Sequence, residues 1–249
     1  MEFLSFDFSV ADLSLFFLVA TFIGMAKMGV PGMGLAAVPL LALVFSGKES
    51  SGVLLIILCF ADIFAVIYYH RHANWRQLIK LFPWAALGII LGALFGQWID
   101  DQVFRVTMAI IIIASLILMV FTNKSISAKL PGVFWFAILL GILGGFTSMV
   151  GNLAGSVMAL YFIAMNFNKN EFIGTTAWFF IIVNWFKIPF HIWSWGTINP
   201  DTLLLDLTAI PFIVLGAWIG LSIVKRIPEK TYRWFIILAT SAAALLMIL

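Results

Sequence analysis

This sequence predicts an all-α polytopic membrane protein, on three observations. Charged residues are scarce, apolar runs are long and numerous, and basic residues fall almost entirely in the gaps between those runs. Of 249 residues, 63% are apolar and 10% are charged, with a mean hydropathy of +1.13. A soluble domain carries about 25% charged residues to keep its surface wet, so this chain cannot cover a water-facing surface of its size. The 25 Phe and 10 Trp suit a lipid-facing exterior with aromatic belts. The net charge of +3 has the sign that suits nucleic acid as a partner. That partner is set aside, because short basic loops between apolar runs are a topology signal. The one cysteine, Cys59, lies inside an apolar run, so no disulfide within the chain and no redox chemistry is expected. No Lys or Arg precedes Lys27, so the first apolar run does not read as a cleaved signal and is expected to belong to the mature chain.

A spanning helix needs about 20 apolar residues, with about 17–25 tolerated. Runs near that length are Val53–Tyr69, Leu78–Trp98, Phe104–Phe121, Val133–Val150, Phe172–Phe190, Leu203–Val224 and Tyr232–Leu249. The stretch Leu13–Phe45 is broken by Gly29-Val30-Pro31-Gly32-Met33-Gly34, leaving Leu13–Met28 and a short run, Leu35–Phe45. A second break at Gly151-Asn152 precedes the short run Leu153–Phe167. Ten hydrophobic segments result, grouped five and five. With the N-terminus outside, alternation places Arg71, Arg76, Lys80, Lys124, Lys129, Lys169, Lys225, Arg226, Lys230 and Arg233 inside. Only Lys48, Arg105 and Lys187 fall outside, while Lys27 stays in the membrane. Bacterial insertion favours that bias, so a multi-pass protein of the cytoplasmic (inner) membrane with both termini outside is expected. The short segments are read equally well as full crossings or as re-entrant hairpins.

The two halves resemble each other. Pro83-x4-Gly88-x3-Gly92-x11-Phe104-Arg105 recurs as Pro211-x4-Gly216-x3-Gly220-x11-Tyr232-Arg233. Backwards from there, Asp62 falls opposite Asn184, Gly52 opposite Gly174, Lys48 opposite Lys169 and Gly34 opposite Gly155. The expected organisation is therefore a first repeat over 1–123, a cytoplasmic linker over 124–132 and a second repeat over 133–249. An odd number of crossings in each repeat turns the second upside down. Inverted repeats with broken helices near the bilayer middle are the architecture of many secondary transporters, in which one repeat rocks against the other. Duplication within a membrane protein that transports nothing would leave the same pattern.

Backbone can be irregular at membrane depth only where protein or a water-filled cavity satisfies it. Each break therefore marks a place where a fresh helix begins inside the membrane, at Leu35 and at Leu153 or Ala154. Helix starts present unpaired amides and attract anions. The candidate anion-binding residues are Gly29, Gly32, Met33, Gly34 and Leu35 at the first break. At the second they are Ser148, Gly151, Asn152, Leu153, Ala154 and Gly155, with Thr147 and Ser156 as further hydroxyl donors. Glycines that merely permit close helix packing are the alternative account. Lys27 borders the first break, where it adds a positive charge or snorkels to the surface. Asp62, near mid-span, is a coupling candidate that can carry a proton or simply pair with Lys27. Asn184, Lys187 and His191 recur on one helix face and join it as coupling candidates. For Lys187, snorkelling at the outer end competes with substrate contact, and for His191 a hydrogen-bonded interfacial role competes with proton gating. His70 and His72 read as solvated loop residues.

No phosphate-binding glycine loop, His-Glu-x-x-His or Gly-x-Ser-x-Gly motif occurs, so an enzyme is not expected, nor is a cofactor or a metal. The glycine-rich opening Gly29–Leu35 followed by Pro39-Leu40, its weaker copy at Met149–Gly155, and the two Pro-x4-Gly-x3-Gly elements together resemble the TauE/SafE family of sulfite and organosulfonate exporters over nearly the whole length. The copy at Met149–Gly155 departs from the family, since Asn152 and Leu153 stand where more glycine is usual. The resemblance implies export of sulfite, sulfoacetate or taurine, driven by the proton gradient. Expected partners are that small anion and the lipid bilayer, and a homodimer is compatible with the pattern. A passive anion channel and a non-transporting membrane assembly factor are the alternatives.

Overall fold

The computed structural model describes residues 2–3, 6–30, 32–121, 134–165, 167 and 169–223. Pro31, Lys124, Lys129, the basic stretch from Lys225 to Arg233 and the run Tyr232–Leu249 lie outside them. A minimal antiparallel hairpin, β1 (Glu2–Phe3) with β2 (Phe6–Asp7), precedes the helices. The Phe6 and Phe8 rings stack at 5.1 Å and both meet Phe45 edge-on, which ties this arm to the end of the second helix. Helix α1 (Val10–Lys27) starts on a reciprocal cap in which Ser9 and Asp12 satisfy each other's backbone amides. It stops at Lys27, and the chain passes Gly29 and Gly32 at φ of 101° and 89°, a left-handed conformation that glycine adopts without strain. Helix α2 (Met33–Leu41) then begins two residues before the predicted start.

Helix α3 (Gly47–Tyr69) is the enclosed centre, with 72% of its span buried against 33–39% in the other four full-length spans. Its first turn is fastened from outside its own chain segment. Asp101, at the head of α5 (Asp101–Phe121), accepts from the amides of Gly47 and Lys48, and Arg105 bridges Asp101 to the Phe45 carbonyl. Helix α4 (Trp75–Trp98) lies between them in sequence, capped by Asn74. Helix α6 (Phe134–Gly151) ends at Asn152, whose φ of 59° turns the chain into α7 (Gly155–Ala164). Helix α8 (Lys169–Pro189) runs on through a wide turn, Phe190–Ser194, so the span reaches Ser194.

The run expected to begin at Leu203 is bent within its described residues. It folds as α9 (Pro200–Thr208) and α10 (Ile210–Ile223), bent by 42° at Ala209. Pro211 has no amide to donate back to α9, so it sits in the first turn of a new helix rather than inside a continuous one. Its counterpart Pro83 lies within unbroken α4. Among the described residues, five helices are long and apolar enough to cross a membrane, or six with the α9–α10 pair taken as one. Trp98, Trp193 and Trp135 project outward with Ile79 and Ile110, the surface expected of helices bathed in lipid. This is a multi-pass, all-α membrane protein.

Two crossings bring backbones into direct contact. A Cβ added at Gly24 of α1 would sit 2.1 Å from the Ile213 carbonyl oxygen, and one at Gly216 of α10 would sit 2.0 Å from that of Thr21. The second crossing repeats the first. Gly88 of α4 abuts Ile142, and Gly145 of α6 abuts Ala85, at 2.1 and 2.0 Å on the same measure. Each crossing joins a helix of one sequence half to a helix of the other. Among the described residues the two largest apolar clusters are built mainly on α1, α2, α3 and α5, and on α4, α6, α7 and α8.

A side chain at a crossing cannot be absorbed, because the obstacle is backbone. Gly216→Val is expected to cost about 3 kcal/mol or to abolish folding. Gly155→Ala, where nothing lies within 4 Å, should leave the melting temperature in detergent unchanged. Thermal unfolding followed by size-exclusion chromatography compares the two.

Candidate functional site

Polar side chains at membrane depth gather on α3 and α8, and they connect the two breaks. Asp62 on α3 is fully buried. Its Oδ1 pairs with the Lys27 ammonium at 2.5 Å, and its Oδ2 accepts from the Asn184 amide at 2.6 Å. Lys27 also lies over the Phe180 ring, 4.4 Å from its centroid. The last residue of α1, beside the first break, is thus tied to both central helices. A buried carboxylate needs this pairing, since an isolated charge in the interior is strongly unfavourable.

One turn beyond Asn184, Lys187 is also fully enclosed and does not snorkel. Its Nζ donates to Asn152 Oδ1 at 2.5 Å and to the Ser148 carbonyl at 3.0 Å, both at the second break. Asn152 in turn donates from Nδ2 to the Ser51 carbonyl of α3 at 2.9 Å. Among the described residues, no carboxylate lies within ion-pairing distance of Lys187. The two lysines therefore differ. Lys27 has an acid, and Lys187 has only neutral acceptors.

The breaks themselves are partly closed. The amides of Asn152 and Leu153 donate to the Ser148 and Thr147 carbonyls, and that of Leu35 donates to Gly32. These three amides are engaged, which leaves the first-turn amides of α2 and α7, at Met33, Gly34 and Gly155, as the donors a helix start provides. Leu153 and Ala154 are buried, and Gly151 packs against Leu153 and Met108. Gly155 is exposed with open space beyond it, and Gly29 likewise faces nothing within 4 Å. Met33 packs with Met25 and Val30 instead of facing the polar cluster. Thr147 returns its hydroxyl to its own helix at Leu143.

His191 is buried, its Nδ1 bonded to Thr197 Oγ1 at 2.8 Å and its Nε2 without a partner. His70 and His72 occupy an exposed turn. Sequence reasoning gave no role to Ser51, Phe180 or Asp206. Asp206 had a visible signal, an acid inside an apolar run. Ser51 and Phe180 had none, because ordinary residues acquire roles here only through packing.

Lys27, Asp62 and Lys187 thus lie together between the interrupted helices of a polytopic bundle. The sulfite exporter TauE/SafE family matches residues 16–247, and the chain belongs to that family. No curated protein and no solved structure matches it.

The Lys27–Asp62 pair gives a direct expectation. Asp62→Ala strands a buried ammonium and should cost about 3–5 kcal/mol. Lys27→Met combined with Asp62→Leu removes both charges and should recover most of that loss. A double-mutant cycle on thermal unfolding measures it, and strict additivity would mean the pair is not coupled.

Proposed function

We propose that this chain is a secondary exporter that carries sulfite, or a sulfonate such as sulfoacetate or taurine, across the bacterial cytoplasmic membrane in exchange for protons. The observation that carries the reading is Lys187, a buried cation with two neutral acceptors and no acid. Such a group is incomplete in the interior, and a small oxyanion supplies the missing charge. The first-turn amides of α7 at Gly155 add donors from a helix start of the kind that favours anions. Ser148 and Asn152 orient the ammonium through their oxygens.

Lys27 and Asp62 then form the coupling half of the site. While Asp62 is ionised it holds Lys27. A proton on Asp62 loosens that pair and frees a second ammonium near the anion. Asn184 stays bonded in either case, because its amide donates to a carboxylate or a carboxyl oxygen. In this reading the two halves are inverted repeats and both termini face outward. The paired crossings, Gly24 with Gly216 and Gly88 with Gly145, support the repeat, since Gly24 and Gly145, like Gly88 and Gly216, are corresponding positions of the two halves.

Purified protein in liposomes tests the proposal. Vesicles loaded with sulfite should take up labelled sulfite by counterflow, accelerated by a pH gradient, with taurine and sulfoacetate as competitors. Lys187→Met should lower the rate about 10- to 100-fold, equivalent to one charge-assisted hydrogen bond of about 1.5–3 kcal/mol, while folding normally. Flux without counterflow would identify a passive channel. Absence of binding to any sulfur anion would favour a non-transporting assembly factor.

A further inference from the structure

Asp206 is the one acid in the described interior that nothing holds. It is completely inaccessible, and neither carboxylate oxygen has a hydrogen-bond partner. No lysine, arginine or histidine among the described residues pairs with it. Its helix, α9, packs on α3, where Cys59 is the titratable group within electrostatic reach. Cys59 lies in electrostatic reach of Asp62, Lys27 and Lys187 as well. Three residues after Asp206, the chain bends by 42° between α9 and α10, and the Ala209 amide at that bend donates to the Asp206 carbonyl.

An ionised carboxylate without partner or water is among the least favourable groups a protein interior can hold, whereas the protonated acid is only a polar group. Enclosure without partners therefore selects the neutral form in this conformation. Losing the proton requires water or a cation to reach the carboxyl, and a parting of α9 from α3, the helix it packs on, would admit one. A bend immediately after Asp206 is where such a movement can be absorbed.

The geometry points to Asp206 as a proton-carrying carboxyl of the transport cycle, protonated in this conformation and released to water when α9 swings away from α3 about the Ala209 bend. This rests on the exporter reading and adds to it a second proton site, outside the residues assigned to the anion. The step is a plain proton transfer between the carboxyl and water, with no other bond made or broken.

Two measurements test it. In liposomes, Asp206→Asn keeps the shape and neutral charge of the protonated acid. It should retain sulfite counterflow while uptake under a pH gradient falls to the rate without one. Difference infrared spectra of the wild type in lipid should show the carbonyl band of an unbonded protonated carboxyl, missing in Asp206→Asn. Gradient-driven uptake that survives in D206N overturns the assignment. So does loss of counterflow in a folded D206N protein, or uptake that follows sodium rather than protons. If the wild type transports no sulfur anion at all, the exporter reading fails, and the infrared band still decides the proton site by its presence or absence. Should D206N not fold, the wild-type band alone decides, with Asp206→Glu expected to retain it.

Discussion

The buried carboxylate of Asp62 is the point on which the interior depends. It lies on the most enclosed helix and draws a cation from the end of α1 and an amide from α8. Both partners are needed, because neither Coulomb attraction nor hydrogen bonding alone offsets the desolvation of a charge at this depth. With Asn184 fixed in this way, Lys187 falls one turn further along the same face, and there it meets Asn152 and Ser148. A single acid thus links the first helix interruption to the second, through Lys27 on one side and Asn184, one turn from Lys187, on the other.

Among the described residues the interior holds two lysines and two aspartic acids but makes only one ion pair from them. Lys187 and Asp206 are each enclosed, and each lacks the opposite charge that the other would supply. Had the fold brought them together, they would have neutralised one another as an inert structural bridge. Kept apart, each remains an unfilled half of an interaction. That arrangement lowers the stability of the resting protein and leaves it able to respond to something from solution, as transporters must.

Much of this was legible from the residues. The interruptions at Gly29–Gly34 and Gly151–Asn152 could be placed because glycine in a left-handed conformation ends helices, and the structure starts the next helix within two residues of the expected places. Asp62 and Asn184 were matched as equivalent positions of the two halves, and they turn out to touch, as equivalent residues do when they lie close to an axis relating the halves. Lys187 was harder. Its place near the outer end of the run Phe172–Phe190 suggests snorkelling, but the helix continues through a wide turn to Ser194, and Lys187 is buried. The bend at Ala209 was missed because hydropathy does not register a missing amide, and Pro83 in the same motif causes no break in α4. Asp206 went unassigned because one acid among many apolar residues does not reveal whether it has a partner.

The glycine crossings have one more consequence. Helices locked backbone to backbone cannot slide or roll past each other without first separating, so α1 moves with α10 and α4 moves with α6. Each of these blocks is a mosaic that takes one helix from the front of the chain and one from the back. The two ends of the sequence are thereby stitched together at two places, and α3 and α8, the helices of Asp62 and Lys187, pack on each other beside them.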